Sequence, residues 1–130
     1  MHSNSSMRTP LSKVRGLGSA KSGTGHFWMQ RVTAVANVFL ALAFVAVLIC
    51  LVGKPYDAAM KTLANPLVSI LMLLFVTSGL VHMRLGMQVI IEDYIQAEGA
   101  KIVALMLNNF VTIAVGVASV FAILKIAFGG

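Results

Sequence analysis

The chain has 130 residues, 58% of them hydrophobic and only 11% charged, and a mean hydropathy of +0.90. A soluble domain of this size has too little interior to hide so much apolar surface, which excludes a soluble globular protein and indicates one integral membrane domain with lipid as its solvent. The net charge of +6 is no nucleic-acid signal: Arg8, Lys13, Arg15, Lys21 and Arg31 precede the first carboxylate, Asp57, with no aromatic residue among them before Phe27 and Trp28, and a basic flank ahead of a hydrophobic span sets topology.

Residues 1–25 form a basic tail rich in Ser and Gly, without acids and without clear periodicity. No apolar stretch ending in a small-residue cleavage site is present, so a retained cytoplasmic tail is expected, although a mitochondrial transit peptide shares its composition. The fragment Gly18-Ser19-Ala20-Lys21-Ser22-Gly23 lacks the Gly-Lys-[Ser/Thr] spacing of a phosphate loop and follows no strand.

Residues 26–130 are expected to form a three-helix transmembrane domain, with helices over about 27–52, 66–91 and 102–128. Each run exceeds the roughly 20 residues needed to cross a ~30 Å hydrocarbon core at ~1.5 Å per residue. Each must be helical, because backbone groups in lipid are satisfied only within the segment or in a closed barrel. Gly53-Lys54-Pro55 ends the first span and Pro66 opens the second as a helix-starting residue. The loops 54–65 and 92–101 are short, so sequential helices are antiparallel neighbours. Arg8, Lys13, Arg15, Lys21 and Lys101 against Lys54, Lys61 and Lys125 place the N-terminus in the cytoplasm. Ala114, Ala118 and Ala122 recur every four residues in the third span and permit a close helix contact. The single Cys50 lies in an apolar run and reads as a small hydrophobe; with no second cysteine, an internal disulfide and a Cys-x-x-Cys-His haem attachment are both excluded.

Chemistry concentrates on the second span. His82 lies about ten residues, ~15 Å, from its cytoplasmic end, near the bilayer midplane, where an ionisable side chain is costly without a partner. At ~100° per residue, Ser78, Gly79, His82, Gly86 and Asp93 share one face, with Tyr94 beside Asp93 at the water line. Small residues beside an imidazole leave a flat space into which a porphyrin plane fits. His82 admits three readings: a haem-iron ligand, an interhelical hydrogen bond, or a proton relay. On the haem reading, one histidine at this depth supplies one axial ligand, so a bis-histidine haem would need another from a partner chain. Arg31 is either a cation at the headgroups beside the interfacial Trp28 or the partner of an anionic cofactor group such as a haem propionate. It could also line a site for a quinone head. Tyr94 is either a belt tyrosine or a donor to a quinone carbonyl, with Asp93 orienting a polar neighbour. His26 stands at the mouth of the first span. Arg84 points about 200° from His82 and must snorkel or meet another helix or a propionate. Asn37, Asn108 and Asn109 are candidate interhelical bonding groups.

Two stretches carry a family resemblance: Ser22-Gly23-Thr24-Gly25-His26-Phe27-Trp28-Met29-Gln30-Arg31-Val32-Thr33-Ala34, and His82-Met83-Arg84-Leu85-Gly86-Met87-Gln88-Val89-Ile90-Ile91-Glu92-Asp93-Tyr94. In the second, a histidine is followed by glycine four residues on and by Asp-Tyr at eleven and twelve. Over roughly residues 16–128 the chain resembles the small hydrophobic membrane anchors of succinate dehydrogenase, respiratory complex II, of the alphaproteobacterial and mitochondrial-like kind.

The resemblance implies a bacterial inner-membrane location, or alternatively the mitochondrial inner membrane. It implies partnership with a second, similar three-helix membrane anchor, an iron–sulfur subunit and a flavoprotein subunit, and no independent catalysis. FAD and the iron–sulfur clusters belong to those partners. His82 falls on the family's haem b ligand and Tyr94 on its quinone-bonding tyrosine, with Asp93 before it. Arg31 falls on an arginine near the haem propionates and the quinone pocket. His26 is offset by one from a family histidine near the propionates. Ubiquinone is the implied substrate, reduced with electrons from an iron–sulfur cluster and two protons from the cytoplasmic side. The alternatives are the anchor of a quinol–fumarate reductase, which uses the same scaffold in reverse, and a haem-free structural tether. A small multidrug transporter is disfavoured, since no span holds Asp or Glu in its interior.

Overall fold

In the computed structural model, which describes residues 9–16 and 23–129, hydrophobic runs become helices and their breakers become turns. The order is α1 (Pro10–Val14), α2 (Gly23–Leu51), α3 (Tyr56–Leu63), α4 (Pro66–Tyr94) and α5 (Glu98–Ala127). Among the described residues there is no strand. Most of the expected tail lies outside the described residues, including His2, Arg8, Lys21 and all of the 18–23 fragment but Gly23.

Three helices are long and apolar enough to cross a membrane: α2 and α4 with 29 residues each and α5 with 30. Helix α2 closes at Gly53, whose φ of +76° is a left-handed value that glycine adopts without a Cβ clash. Pro55 then caps α3. This short helix falls in a segment read from sequence as a loop. Asp57 in its first turn and Lys61 in its last match the helix dipole, and the Lys54 ammonium donates to Thr62 Oγ1 at 2.9 Å. At the start of α4, Asn65 Oδ1 accepts the Leu67 N–H at 3.0 Å, and Pro66 occupies the first turn, where its missing N–H costs nothing. Helix α4 continues to Tyr94, so Asp93 and Tyr94 sit on its last turn.

Connections this short leave the spans antiparallel. Helix α4 is central, packing on α2 along one side and on α5 along the other. Phe44 of α2 stacks on Phe75 of α4 with centroids 4.8 Å apart. Against α5 the helices approach so closely that a Cβ on Gly116 would lie 3.3 Å from Leu80 Cδ1. Ala114, Ala118 and Ala122, by contrast, are exposed and turned away from α4.

Burial is inverted relative to a soluble protein. Among the described residues, the buried side chains are one hydrophobe, Ile91, and three hydroxyls, Thr33, Ser69 and Thr112, while Phe39, Leu42, Ile49, Phe110 and Phe121 are exposed. Polar groups inside and apolar groups outside are what hydrocarbon solvent selects. The free Cys50 is exposed near the end of α2.

Candidate functional site

On α2, His26, Gln30, Thr33 and Asn37 recur at intervals of four, three and four residues, which places them on one stripe of the helix. That stripe faces Ser78, His82, Gly86 and Val89 of α4. The antiparallel register is read from three contacts. Gly23 and His26 line a cavity with Gln88, Val89 and Glu92, Gln30 meets Gly86, and Thr33 meets His82. A polar seam therefore runs between two membrane-crossing helices from their shared end to the level of His82 and beyond.

The His82 ring is fixed from the α2 side. Its Nδ1 lies 3.2 Å from Thr33 Oγ1 and 3.2 Å from the Gln30 carbonyl oxygen. A carbonyl only accepts, so Nδ1 is the donor. Thr33 has one hydroxyl hydrogen, and the Met29 carbonyl at 2.7 Å takes it in a bond back along the helix. The Thr33 oxygen is thus free to accept as well. In a neutral imidazole with hydrogen on Nδ1, the other nitrogen presents a lone pair, and among the described residues Nε2 has no hydrogen-bond partner. A metal-ligating histidine characteristically shows this arrangement, one ring N–H bonded to a carbonyl and the other nitrogen bare.

Gly86 is turned toward α2. A Cβ built there would meet Gln30 Nε2 at 3.5 Å, so the Gln30 amide occupies the space beside it. The glycine near His82 with open space around it is Gly79. At the shared helix end, Gly23, His26, Gln88, Val89 and Glu92 line a cavity of about 450 Å³. Gln88 Nε2–H donates to Glu92 Oε1 at 2.8 Å, and His26 Nε2 is buried without a partner among the described residues. Asp93 is exposed, as is Tyr94 at 80%. The Arg31 guanidinium lies 3.5 Å above the Phe27 ring centroid, a cation–π contact that draws it toward the same end.

These residues do not gather into one pocket within the chain. In the register above, the Arg31 and Tyr94 backbones lie about ten residues, ~15 Å, apart along the helix pair. Arg84 faces the opposite way from His82. Its Nε–H donates to Asn109 Oδ1 at 2.6 Å, and Asn108 Nδ2–H donates to the Arg84 carbonyl at 3.0 Å. Asn108 and Asn109 thus make the interhelical bonds expected of them, whereas Asn37 Oδ1 is buried without a partner among the described residues, as are Gln30 Oε1 and Ser78 Oγ. Sequence reasoning missed Gln30 and Thr33 as the neighbours of His82. The four-three-four polar spacing on α2 was the signal that could have found them.

The family model described as succinate dehydrogenase/fumarate reductase transmembrane subunit matches residues 5–118. The chain belongs to this family. Among its relatives, a succinate dehydrogenase hydrophobic membrane anchor subunit of Paracoccus denitrificans is 32% identical over 93% of both chains. One of Rickettsia bellii is 33% identical over 88% of this chain and 94% of its own length. A succinate dehydrogenase membrane anchor subunit of Reclinomonas americana is 36% identical over 72% and 80%, respectively. No solved structure gives a significant match. As a transmembrane subunit of this family with three apolar spanning helices, the chain is a multi-pass inner-membrane anchor, and membership implies further subunits of a complex.

Proposed function

We propose that the chain anchors a succinate:ubiquinone oxidoreductase, that His82 would offer Nε2 as a ligand to a haem b shared with a second three-helix anchor, and that Tyr94 and Asp93 at the helix end and Arg31 nearer His82 are its separate contributions to a ubiquinone site completed by partner chains. The observation that carries the reading is the His82 ring, held through Nδ1 by Gln30 and Thr33 with Nε2 unbonded. The Nδ1 contacts alone would serve a structural interhelical bond; it is the unbonded Nε2 that leaves a lone pair available to iron. The relatives' names favour the succinate-oxidising direction over fumarate reduction.

The donor set fits the group. One imidazole nitrogen is bare and the adjacent Gly79 leaves space at its side. Arg31, nearer His82, is a cation suited to a propionate. A bound b-type haem supplies a one-electron store in the hydrocarbon core. His82 and, by the register, Arg31 act as its holders. Tyr94, exposed on the last turn of α4, donates its phenolic hydrogen to a quinone carbonyl. Asp93 beside it holds a polar neighbour or proton at that edge. With the N-terminus in the cytoplasm, this end faces the compartment that provides the two protons of ubiquinone reduction, while both electrons arrive from the iron–sulfur subunit. FAD stays with the flavoprotein subunit.

Purification of the tagged chain from its native membrane tests this reading. A four-subunit complex with flavin and a reduced-minus-oxidised b-type spectrum is expected, and His82→Ala should lose that spectrum. An unchanged spectrum in His82→Ala removes the ligand assignment.

A further inference from the structure

We propose that Thr33 is a positioning residue for His82: its hydroxyl oxygen, together with the Gln30 carbonyl, keeps the ring hydrogen on Nδ1 so that Nε2 is always the bare nitrogen. The inference rests on the reading of His82 as an iron ligand and adds to it a residue on another helix, forty-nine positions away. Thr33 is 7% exposed and is one of the few buried side chains among the described residues. Its hydroxyl hydrogen is committed to the Met29 carbonyl at 2.7 Å, with the Gln30 carbonyl a longer alternative at 3.2 Å. The oxygen lone pairs are what remain for the imidazole.

Two acceptors, each 3.2 Å from Nδ1, do more than one would. A ring flipped by half a turn would put a carbon in place of Nδ1 and lose both contacts, so the pair sets ring orientation as well as tautomer. The Gln30 carbonyl lies within α2 and also accepts from the α2 ladder, so its bond to the ring is shared. The Thr33 oxygen is the acceptor whose removal leaves the backbone intact. A ligand imidazole that donates its distal N–H is a stronger base toward the metal, which favours ferric over ferrous iron. Loss of the Thr33 oxygen should therefore move the haem potential in the positive direction.

The test uses the assembled complex carrying Thr33→Val, which removes the oxygen and keeps the volume, and Thr33→Ser, which restores the oxygen. Haem content should stay near wild type in both. In Thr33→Val the ratio of reduced to oxidised haem at a fixed potential should rise about two- to tenfold, the worth of one ordinary hydrogen bond. That is a shift of about 20–60 mV at about 59 mV per tenfold for one electron. Thr33→Ser should return to the wild-type value. A wild-type potential in Thr33→Val overturns the proposal, as does a Thr33→Ser shift equal to that of Thr33→Val, which would make packing the cause. If Thr33→Val fails to assemble, pulsed electron paramagnetic resonance of the wild-type ferric haem decides the matter. The quadrupole coupling of a remote ring nitrogen should report a strongly bonded N–H, and weak bonding at both axial rings overturns the proposal. A full b-type spectrum in His82→Ala would instead remove the ligand reading itself, so the two failures are separable.

Discussion

Arg84 and Asn109 meet at 2.6 Å across the α4–α5 interface, on the side of α4 opposite to His82. Two ionisable side chains two residues apart on one helix point about 200° from each other. Because α4 is the middle helix, each finds a partner helix, α2 for the imidazole and α5 for the guanidinium. The charged group is thereby held to a side-chain oxygen, which lowers the cost of its depth. A double-mutant cycle with Arg84→Ala and Asn109→Ala, read by thermal unfolding of the detergent-solubilised complex, should show a coupling of about 0.6–2 kcal/mol, the range of interhelical bonds in membranes. Strictly additive single effects would show that the contact contributes no stability.

Tyr94 is almost free of contacts within its own chain, at 80% exposure, so its hydroxyl can be removed with little structural cost. On the proposed quinone contact, Tyr94→Phe should lower quinone reductase activity by about tenfold or more, since the carbonyl would be left without its donor. Succinate oxidation measured with an artificial dye, which takes electrons before the membrane, should survive. Equal loss of both activities would assign the tyrosine to assembly rather than to quinone.

Two glycines of α4 and α5 have different neighbours and should respond differently. A Cβ at Gly86 meets only the flexible end of Gln30 at 3.5 Å, so Gly86→Ala should change stability by no more than about 0.5 kcal/mol and leave haem content intact. At Gly116 the neighbour is Leu80 Cδ1 at 3.3 Å, and the added methyls of a β-branched residue there crowd that leucine at the α4–α5 contact. Gly116→Val should cost about 1–3 kcal/mol, as overpacking does. Both are read from the thermal midpoint and haem-to-protein ratio of the purified complex.

The three spans were legible because long apolar runs leave lipid no alternative to helix. His82, Asp93 and Tyr94 were conspicuous because ionisable and aromatic groups stand out within and at the ends of such runs. Thr33 and Gln30 were not. Uncharged and compatible with an apolar helix, they acquire meaning only once α2 is rotated against α4, a rotation that the nearly uniform hydrophobicity of α2 hides. The small α3 escaped for a related reason: its mixture of Tyr56, Asp57, Lys61 and Thr62 reads as loop until Lys54 and Ser69 bond to it. The angle of Arg84 was readable from residue spacing, but its partner depended on α5 lying on that side.

Ser69 and Ser78 are both on α4, and their hydroxyls differ in one respect. Ser69, 4% exposed, donates to the Leu63 carbonyl at 2.8 Å and ties the end of α3 to α4. Ser78 Oγ is buried without a partner among the described residues, one turn from His82 and at about the level of Asn37, whose Oδ1 is likewise unpaired. An unsatisfied buried hydroxyl costs stability, whereas a satisfied one contributes about 0.5–1.5 kcal/mol. Ser69→Ala should therefore destabilise by about that amount, while Ser78→Ala should be neutral or stabilising. Thermal unfolding of the two variants in the same detergent distinguishes them. A loss in Ser78→Ala equal to that in Ser69→Ala would mean that Ser78 and Asn37, one turn deeper than Thr33 and His82, bond to each other in the assembled complex and form a second polar tie along the same seam.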